Sequence, residues 1–261
     1  MRVFGDAALP TLIHLPGLHG DWTLVTGFRI ALKNRVRFVE ITYPRSLSWS
    51  IEEYTNAIEH ALLSQGIAHG WLIGESFGSQ FAWELMAGNL PDTSRHVDGS
   101  KTRFKVDGII LAAGFVKHPW KHGPGLLRWI GEKTTMKQYA RELKLYACYA
   151  RFRYRHSPEV LASMNEFVAR RTDLDRQAMR HRLTLIEQYD PRPVARQTQV
   201  PVYYLAGCLD PLVPWFLVRG WLRRNCPGYR TGRTFWLADH NVLGSCSAQA
   251  ADLVMKWLRG D

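Results

Sequence analysis

Along the first third of the chain, short apolar runs stopped by turn residues alternate with stretches of helical periodicity. Residues 11–15 (TLIHL) and 36–43 (VRFVEITY) are apolar runs halted by Pro16-Gly17 and Pro44, so both predict strands ending in tight turns. Ser50 with Glu53 three residues later is a capping-box pattern, and Ile51, Tyr54, Ile58 and Leu62 fall on one face, which predicts a helix over 51–64. Residues 70–74 then read as a strand and 77–89 as a helix ended before Pro91. Strand, helix, strand, helix at this spacing predicts a parallel sheet with crossover helices. Residues 92–105 are polar without a period and read as an exposed, mobile loop.

A core strand returns at 106–115, after which the pattern changes. Residues 116–192 hold no convincing strand but helical stretches at 134–152, 158–171 and 174–189. Alternation resumes with a strand at 200–205, a helix at 212–224, a strand at 233–238 and a helix at 247–259. The expected organisation is therefore an α/β core over 1–115 and 193–261, with a helical insertion at 116–192 and Gly123-Pro124-Gly125 as its hinge.

Composition narrows the class. At 261 residues, 46% hydrophobic and 22% charged, the chain is ordinary globular protein that needs no disulfide or metal to hold a core. Its four cysteines form no CxxC pair, and no run approaches the length of a signal or transmembrane segment, so the expectation is a cytoplasmic protein with reduced thiols and no zinc site. The net charge is +11, and residues 117–182 hold 15 Lys and Arg against 6 Asp and Glu. Anionic substrates, membrane headgroups, nucleic acid or plain solvation could each account for that excess. No nucleic-acid motif accompanies it, which favours a solvated basic face and no nucleic-acid partner.

The chemistry centres on Gly74-Glu75-Ser76-Phe77-Gly78, a G-x-S-x-G between an expected strand and an expected helix. Flanking glycines let a sharp turn pack there, and the helix start favours negative charge developing at Ser76. A serine nucleophile needs a base and a carboxylate to orient it. Asp210 follows the strand at 200–205 and His240 follows the strand at 233–238, both at the C-terminal sheet edge. Asp239 rivals Asp210 for the acid, but a residue adjacent to His240 in the chain is badly placed to reach its Nδ1. An oxyanion needs two aimed N–H donors, and Phe77 and Leu18 are the candidates. Trp22, Phe115, Trp120 and Trp215 are aromatic candidates for pocket walls. Tyr139, Tyr146, Tyr149 and Phe152 are expected to pack the insertion onto the body.

Through LIHLPGLHGDW, ITYP, LIGESFGSQFAWELM, VDGIILAAGFV, YLAGCLDPLVP and ADHNVL, the chain resembles the α/β-hydrolase superfamily over essentially its whole length. The resemblance implies an α/β-hydrolase fold, a mostly parallel central sheet flanked by helices, with 116–192 as a cap. It places nucleophile, acid and base on Ser76, Asp210 and His240, and oxyanion donors on Leu18 and Phe77. It implies a cofactor-independent and metal-independent serine hydrolase acting on a small-molecule ester or thioester. Serine at 76 argues against the branches with Asp or Cys there. Pro16-Gly17 departs from the usual His-Gly, so the bonding of that His is missing or falls to His19, and Ser79 in place of a further Gly is expected to crowd the helix start. A carboxylesterase is the leading expectation. A thioesterase or acyltransferase with the same triad, and a non-catalytic binding protein, are the alternatives.

Overall fold

The computed structural model describes residues 1–90, 103–155 and 157–260. Most of the polar tract at 92–105 lies outside them. Among the described residues the centre is a seven-stranded sheet in the order β1-β3-β2-β4-β5-β6-β7. Its strands are β1 (Arg2–Phe4), β2 (Thr11–Leu15), β3 (Arg37–Glu40), β4 (His69–Glu75), β5 (Lys105–Ala112), β6 (Val202–Gly207) and β7 (Tyr229–Phe235). Only β1 runs antiparallel to its neighbour; the other pairings are parallel. Parallel strands need crossovers, and these place helices on both faces.

Consecutive strand residues point to opposite faces, so two cores form. Ile13, Val39, Leu72 and Ile109 pack with helices α2 (Ile51–Ser64) and α3 (Gly78–Ala87). Their chain neighbours Leu12, Phe38, Ile73 and Ile110 pack on the other face with α1 (Thr26–Ala31) and α11 (Ser247–Arg259). The Ser50 capping box forms as expected, with Glu53 N–H donating to Ser50 Oγ and Ser50 N–H to Glu53.

Between β5 and β6 lie α4 (Gly123–Lys133), α5 (Met136–Arg153), α6 (Pro158–Ala169), α7 (Asp173–Gln188) and α8 (Arg192–Gln197); α9 (Trp215–Asn225) and α10 (Val242–Ser245) follow later. Gly123-Pro124-Gly125, the expected hinge, forms the first turn of α4, with the proline where its missing N–H costs nothing. The expected strand at 233–238 starts four residues earlier and ends three earlier, at Tyr229–Phe235. This edge strand carries Arg230, Thr231, Arg233 and Thr234, so its apolar pattern is weak and Trp236 and Leu237 fall in the exposed turn beyond it.

The tightest joint in the sheet is the β4–α3 turn. A Cβ on Gly78 would lie 2.0 Å from the Leu15 carbonyl oxygen, and one on Gly74 would lie 2.7 Å from Ser79 Cα. Gly78→Ala should therefore lower the unfolding free energy in urea by about 3 kcal/mol or more, whereas a loss under about 0.5 kcal/mol would contradict this packing.

Candidate active site

Ser76 occupies the β4–α3 turn with φ of 50°, a left-handed conformation that costs a non-glycine residue about 1–3 kcal/mol. Surrounding bonds hold it there. Ser76 N–H donates to the Ala112 carbonyl at 2.9 Å. Ser79 Oγ, fully buried, lies 2.6 Å from the Ser76 carbonyl and 2.9 Å from that of Phe115, and accepts Phe115 N–H at 3.1 Å. Ser79 therefore does not crowd the helix start: its hydroxyl ties the turn to the end of β5, and Gly114 leaves room for its Cβ.

A continuous relay runs from Ser76. His240 Nε2 is 2.9 Å from Ser76 Oγ, and His240 Nδ1 is 2.8 Å from Asp210 Oδ2. Because the carboxylate can only accept, the neutral imidazole carries its hydrogen on Nδ1 and leaves Nε2 to accept from the serine. The other Asp210 oxygen accepts the N–H groups of Leu212 and Val213 at 2.8 and 3.0 Å. Asp239 is occupied elsewhere, accepting Tyr154 OH at 2.6 Å and Asn241 N–H at 3.0 Å.

The loop after β2 is the third component. A Cβ on Gly17 would sit 3.5 Å from Ser76 Cβ, so this loop passes directly beside the serine. Each carbonyl from Pro16 to Gly20 accepts a hydrogen bond. The donors, in order, are Tyr43 OH at 3.0 Å, Gly20 N–H at 3.0 Å, Arg182 Nη1 at 2.7 Å, Arg171 Nη1 at 3.2 Å and Tyr43 N–H at 2.9 Å. Arg171 also pairs with Asp21, and Arg182 Nη2 donates to the Pro44 carbonyl at 3.0 Å. Both arginines are buried, and both come from the segment between β5 and β6. Gly20, at φ of 77°, lies against Arg182, where a Cβ would meet Nη1 at 2.5 Å. Among the described residues, neither Leu18 N–H nor Phe77 N–H donates to a protein acceptor.

Ser76 and His240 open onto a cavity of about 480 Å³. Its walls come from the sheet edge (Leu18, Leu24, Phe115, Leu209, Leu212) and from the inserted segment (Leu127, Tyr146, Phe167, Met179, Leu183, Ile186). Glu75 and Asp239 also border it, and among the described lining residues there is no Lys or Arg. A more open cleft of about 760 Å³, beside Arg153 and Trp236, contains none of the three relay side chains. No group of three or more His, Cys, Asp and Glu among the described residues could hold a metal ion.

A sequence model of the alpha/beta hydrolase family matches residues 12–253. The chain belongs to the alpha/beta hydrolase family. Among solved structures, this alpha/beta hydrolase is similar to an enol-lactonase from Burkholderia xenovorans LB400 at a TM-score of 0.75 and 18% identity, covering 99% of this chain and 95% of that one. It is also similar to an esterase from Exiguobacterium antarcticum (TM-score 0.73, 13% identity, 99% and 94% covered) and to an esterase from Rhodococcus sp. ECU1013 (0.75, 14%, 99% and 93%). At these identities the likeness is one of fold. No curated protein sequence matches the chain.

The hydrolase brings Ser76, Asp210, His240, Leu18 and Phe77 to one sheet edge, and Phe115 to the cavity wall. Trp22, Trp120 and Trp215 do not reach the cavity, which corrects the expectation for all three. Trp22 is held between the guanidinium groups of Arg2 and Arg170, Trp120 is half exposed beside His118, and Trp215 packs against the core. The tyrosine series also divides differently than expected: Tyr139 is buried, Tyr146 and Tyr149 line the cavity, and Phe152 is 72% exposed. The bonding absent with Pro16-Gly17 does not pass to His19, whose buried Nε2 has no partner; Tyr43 and the two arginines supply it. The sequence reading missed Arg171, Arg182 and a buried His14–Glu75 pair at 3.1 Å behind Ser76. For Arg182 a signal existed, since it continues the buried stripe of Asp175, Ala178 and Leu185 on α7.

Burial favours the neutral form of His240, but its hydrogen bond to Asp210 and the charges of Asp210, Glu75 and Asp239 outweigh that and hold its pKa above the ordinary 6.5. Burial likewise pushes Glu75 up, and the His14 hydrogen bond with the charges of His19, His14 and His240 reverses this, so Glu75 stays a carboxylate. An NMR titration of His240 should give a pKa above 6.5, and Asp210→Asn should lower it by removing the charge that stabilises the imidazolium. An unshifted value in Asp210→Asn would contradict the relay.

Proposed function

We propose that this chain is a serine-dependent carboxylesterase acting on small, largely apolar esters. The observation that carries the reading is the unbroken relay from Asp210 through His240 to Ser76 at the floor of an apolar cavity. Ser76 Oγ attacks the acyl carbonyl while its proton passes to His240 Nε2. Asp210 stabilises the resulting imidazolium, and the open N–H groups of Leu18 and Phe77 receive the oxyanion. Collapse expels the alcohol, which takes the proton from His240, and leaves the acyl group on Ser76 Oγ. Water then loses a proton to His240 Nε2 and attacks the acyl carbon, and collapse breaks the bond to Ser76 Oγ, which takes the proton back from His240 as the acid leaves. No metal or cofactor enters this sequence.

The helices over 116–192 act here as a cap, contributing most of the apolar wall and, through Arg171 and Arg182, the anchors of the oxyanion loop. Esterases among the similar structures agree with the reading at the level of fold. The cavity lining gives no support to strongly anionic acyl groups, since Glu75 and Asp239 would repel them. No Lys or Arg of the inserted segment is among the described residues lining this cavity.

Hydrolysis of p-nitrophenyl esters of increasing acyl length, with Ser76→Ala alongside, tests the proposal. The wild type is expected to turn over the shorter esters and to be labelled at Ser76 by a fluorophosphonate. Ser76→Ala is expected to lose at least about a thousandfold in kcat/KM. A folded Ser76→Ala retaining activity within about tenfold would remove Ser76 from the role. Ester or thioester product accumulating only with an alcohol or thiol acceptor present would make the enzyme an acyltransferase.

A further inference from the structure

The exposed side of the inserted segment has a composition that the esterase reading leaves unused. Residues 117–155 contain ten Lys and Arg but only two acids, Glu132 and Glu142. On α5 these charges are ordered. Lys137, Arg141, Lys144 and Arg151 recur at i, i+4, i+7 and i+14 along one exposed stripe, and among the described residues they form no ion pair. The adjacent stripe, Leu145, Tyr149 and Phe152 at i, i+4 and i+7, is apolar and 61%, 46% and 72% exposed. The buried stripe of Tyr139, Leu143 and Ala150 faces the body, so the outward side of α5 presents a basic stripe beside an apolar one, with exposed Gln138 and Glu142 at the N-terminal end of the apolar stripe.

This surface adjoins the cavity. Tyr149 lines the mouth while half exposed, and so do Leu127 of α4, Leu209 and Leu212. Next to Leu127, Leu126 and Trp129 are 57% and 50% exposed, with Lys133 Nζ 3.9 Å from the Trp129 ring centroid. A helix that lies in a lipid interface has cations bordering large apolar side chains on its outward side. Nucleic acid would use the cations but leave Leu126, Leu145 and Phe152 in water.

We propose that the outward faces of α4 and α5 form a docking surface for an anionic lipid bilayer. Lys137, Arg141, Lys144 and Arg151 meet lipid phosphates, and Leu145, Trp129 and Phe152 enter the headgroup boundary. The cavity mouth is then turned toward the membrane. This surface goes beyond the esterase reading and does not depend on it.

Flotation with unilamellar vesicles tests it without measuring turnover. Partition onto phosphatidylglycerol/phosphatidylcholine vesicles should exceed that onto pure phosphatidylcholine by about tenfold or more, and should fall as salt is raised. The quadruple variant K137E/R141E/K144E/R151E should lose binding. Leu145→Ser with Phe152→Ser should weaken it about tenfold at unchanged net charge, while Ile30→Ser, an exposed apolar site on α1, should not. Circular dichroism on each variant establishes that it is folded. Equal partition onto both vesicles, no binding at low salt, or wild-type binding by either folded α5 variant would overturn the proposal. Binding to polyglutamate without binding to vesicles would overturn it in favour of an acidic protein partner.

Discussion

The hydrogen bond from Arg182 to the Leu18 carbonyl joins the parts of this protein that the chain keeps far apart. Arg182 lies 164 residues after Leu18 and belongs to α7, whereas Leu18 belongs to the loop after β2. A guanidinium withdrawn from water is costly unless its N–H groups find acceptors, and the Leu18 and Pro44 carbonyls are acceptors for two of them. The exchange is reciprocal, because a loop pressed against Ser76 cannot leave its carbonyls unpaired. With every carbonyl from Pro16 to Gly20 hydrogen-bonded, two of them to arginines of the inserted segment, the loop leaves Leu18 N–H as a free donor beside the serine.

The same contact explains the division of charge within the inserted segment. Arg171 and Arg182 are interior, bonded to the loop and to Asp21, and Asp175 on the same helix pairs with Arg45 of the body. Arg176 bonds to Asp173 and to the Gly131 and Thr134 carbonyls. These charges fix α7 and the end of α6. Among the described residues, Lys137, Arg141, Lys144 and Arg151 on α5 have no such partners, and this second set, not the first, is exposed. The cavity between the two sets carries carboxylates and apolar walls.

Much of this was legible in the sequence because it rested on local rules. The strand at 11–15, the capped helix at 51–64 and the turn at 74–78 each follow from a periodicity, a cap or a steric demand for glycine that a few residues express. Chain order and strand ends were enough to bring Ser76, Asp210 and His240 together. What escaped depended on distant partners. The three tryptophans away from the cavity are apolar residues with several possible neighbours, and only the tertiary fold chooses Arg2 and Arg170 for Trp22. The short β1 and α1 have too few residues to show a period. The basic count at 117–182 concealed two populations of arginine, and nothing short of packing separates them, although a charged residue on the buried stripe of α7 marked Arg182.

The inhibition constant of an alkyl boronic acid, whose serine adduct places a negatively charged oxygen where the oxyanion forms, tests the arginine-anchored loop most directly. It should be measured on the wild type, Arg182→Met and Arg182→Lys, each shown to be folded by circular dichroism. The expected result is a constant raised about 10- to 100-fold in Arg182→Met, partly restored in Arg182→Lys, with substrate KM little changed. A folded Arg182→Met that binds the boronic acid as tightly as the wild type would contradict it.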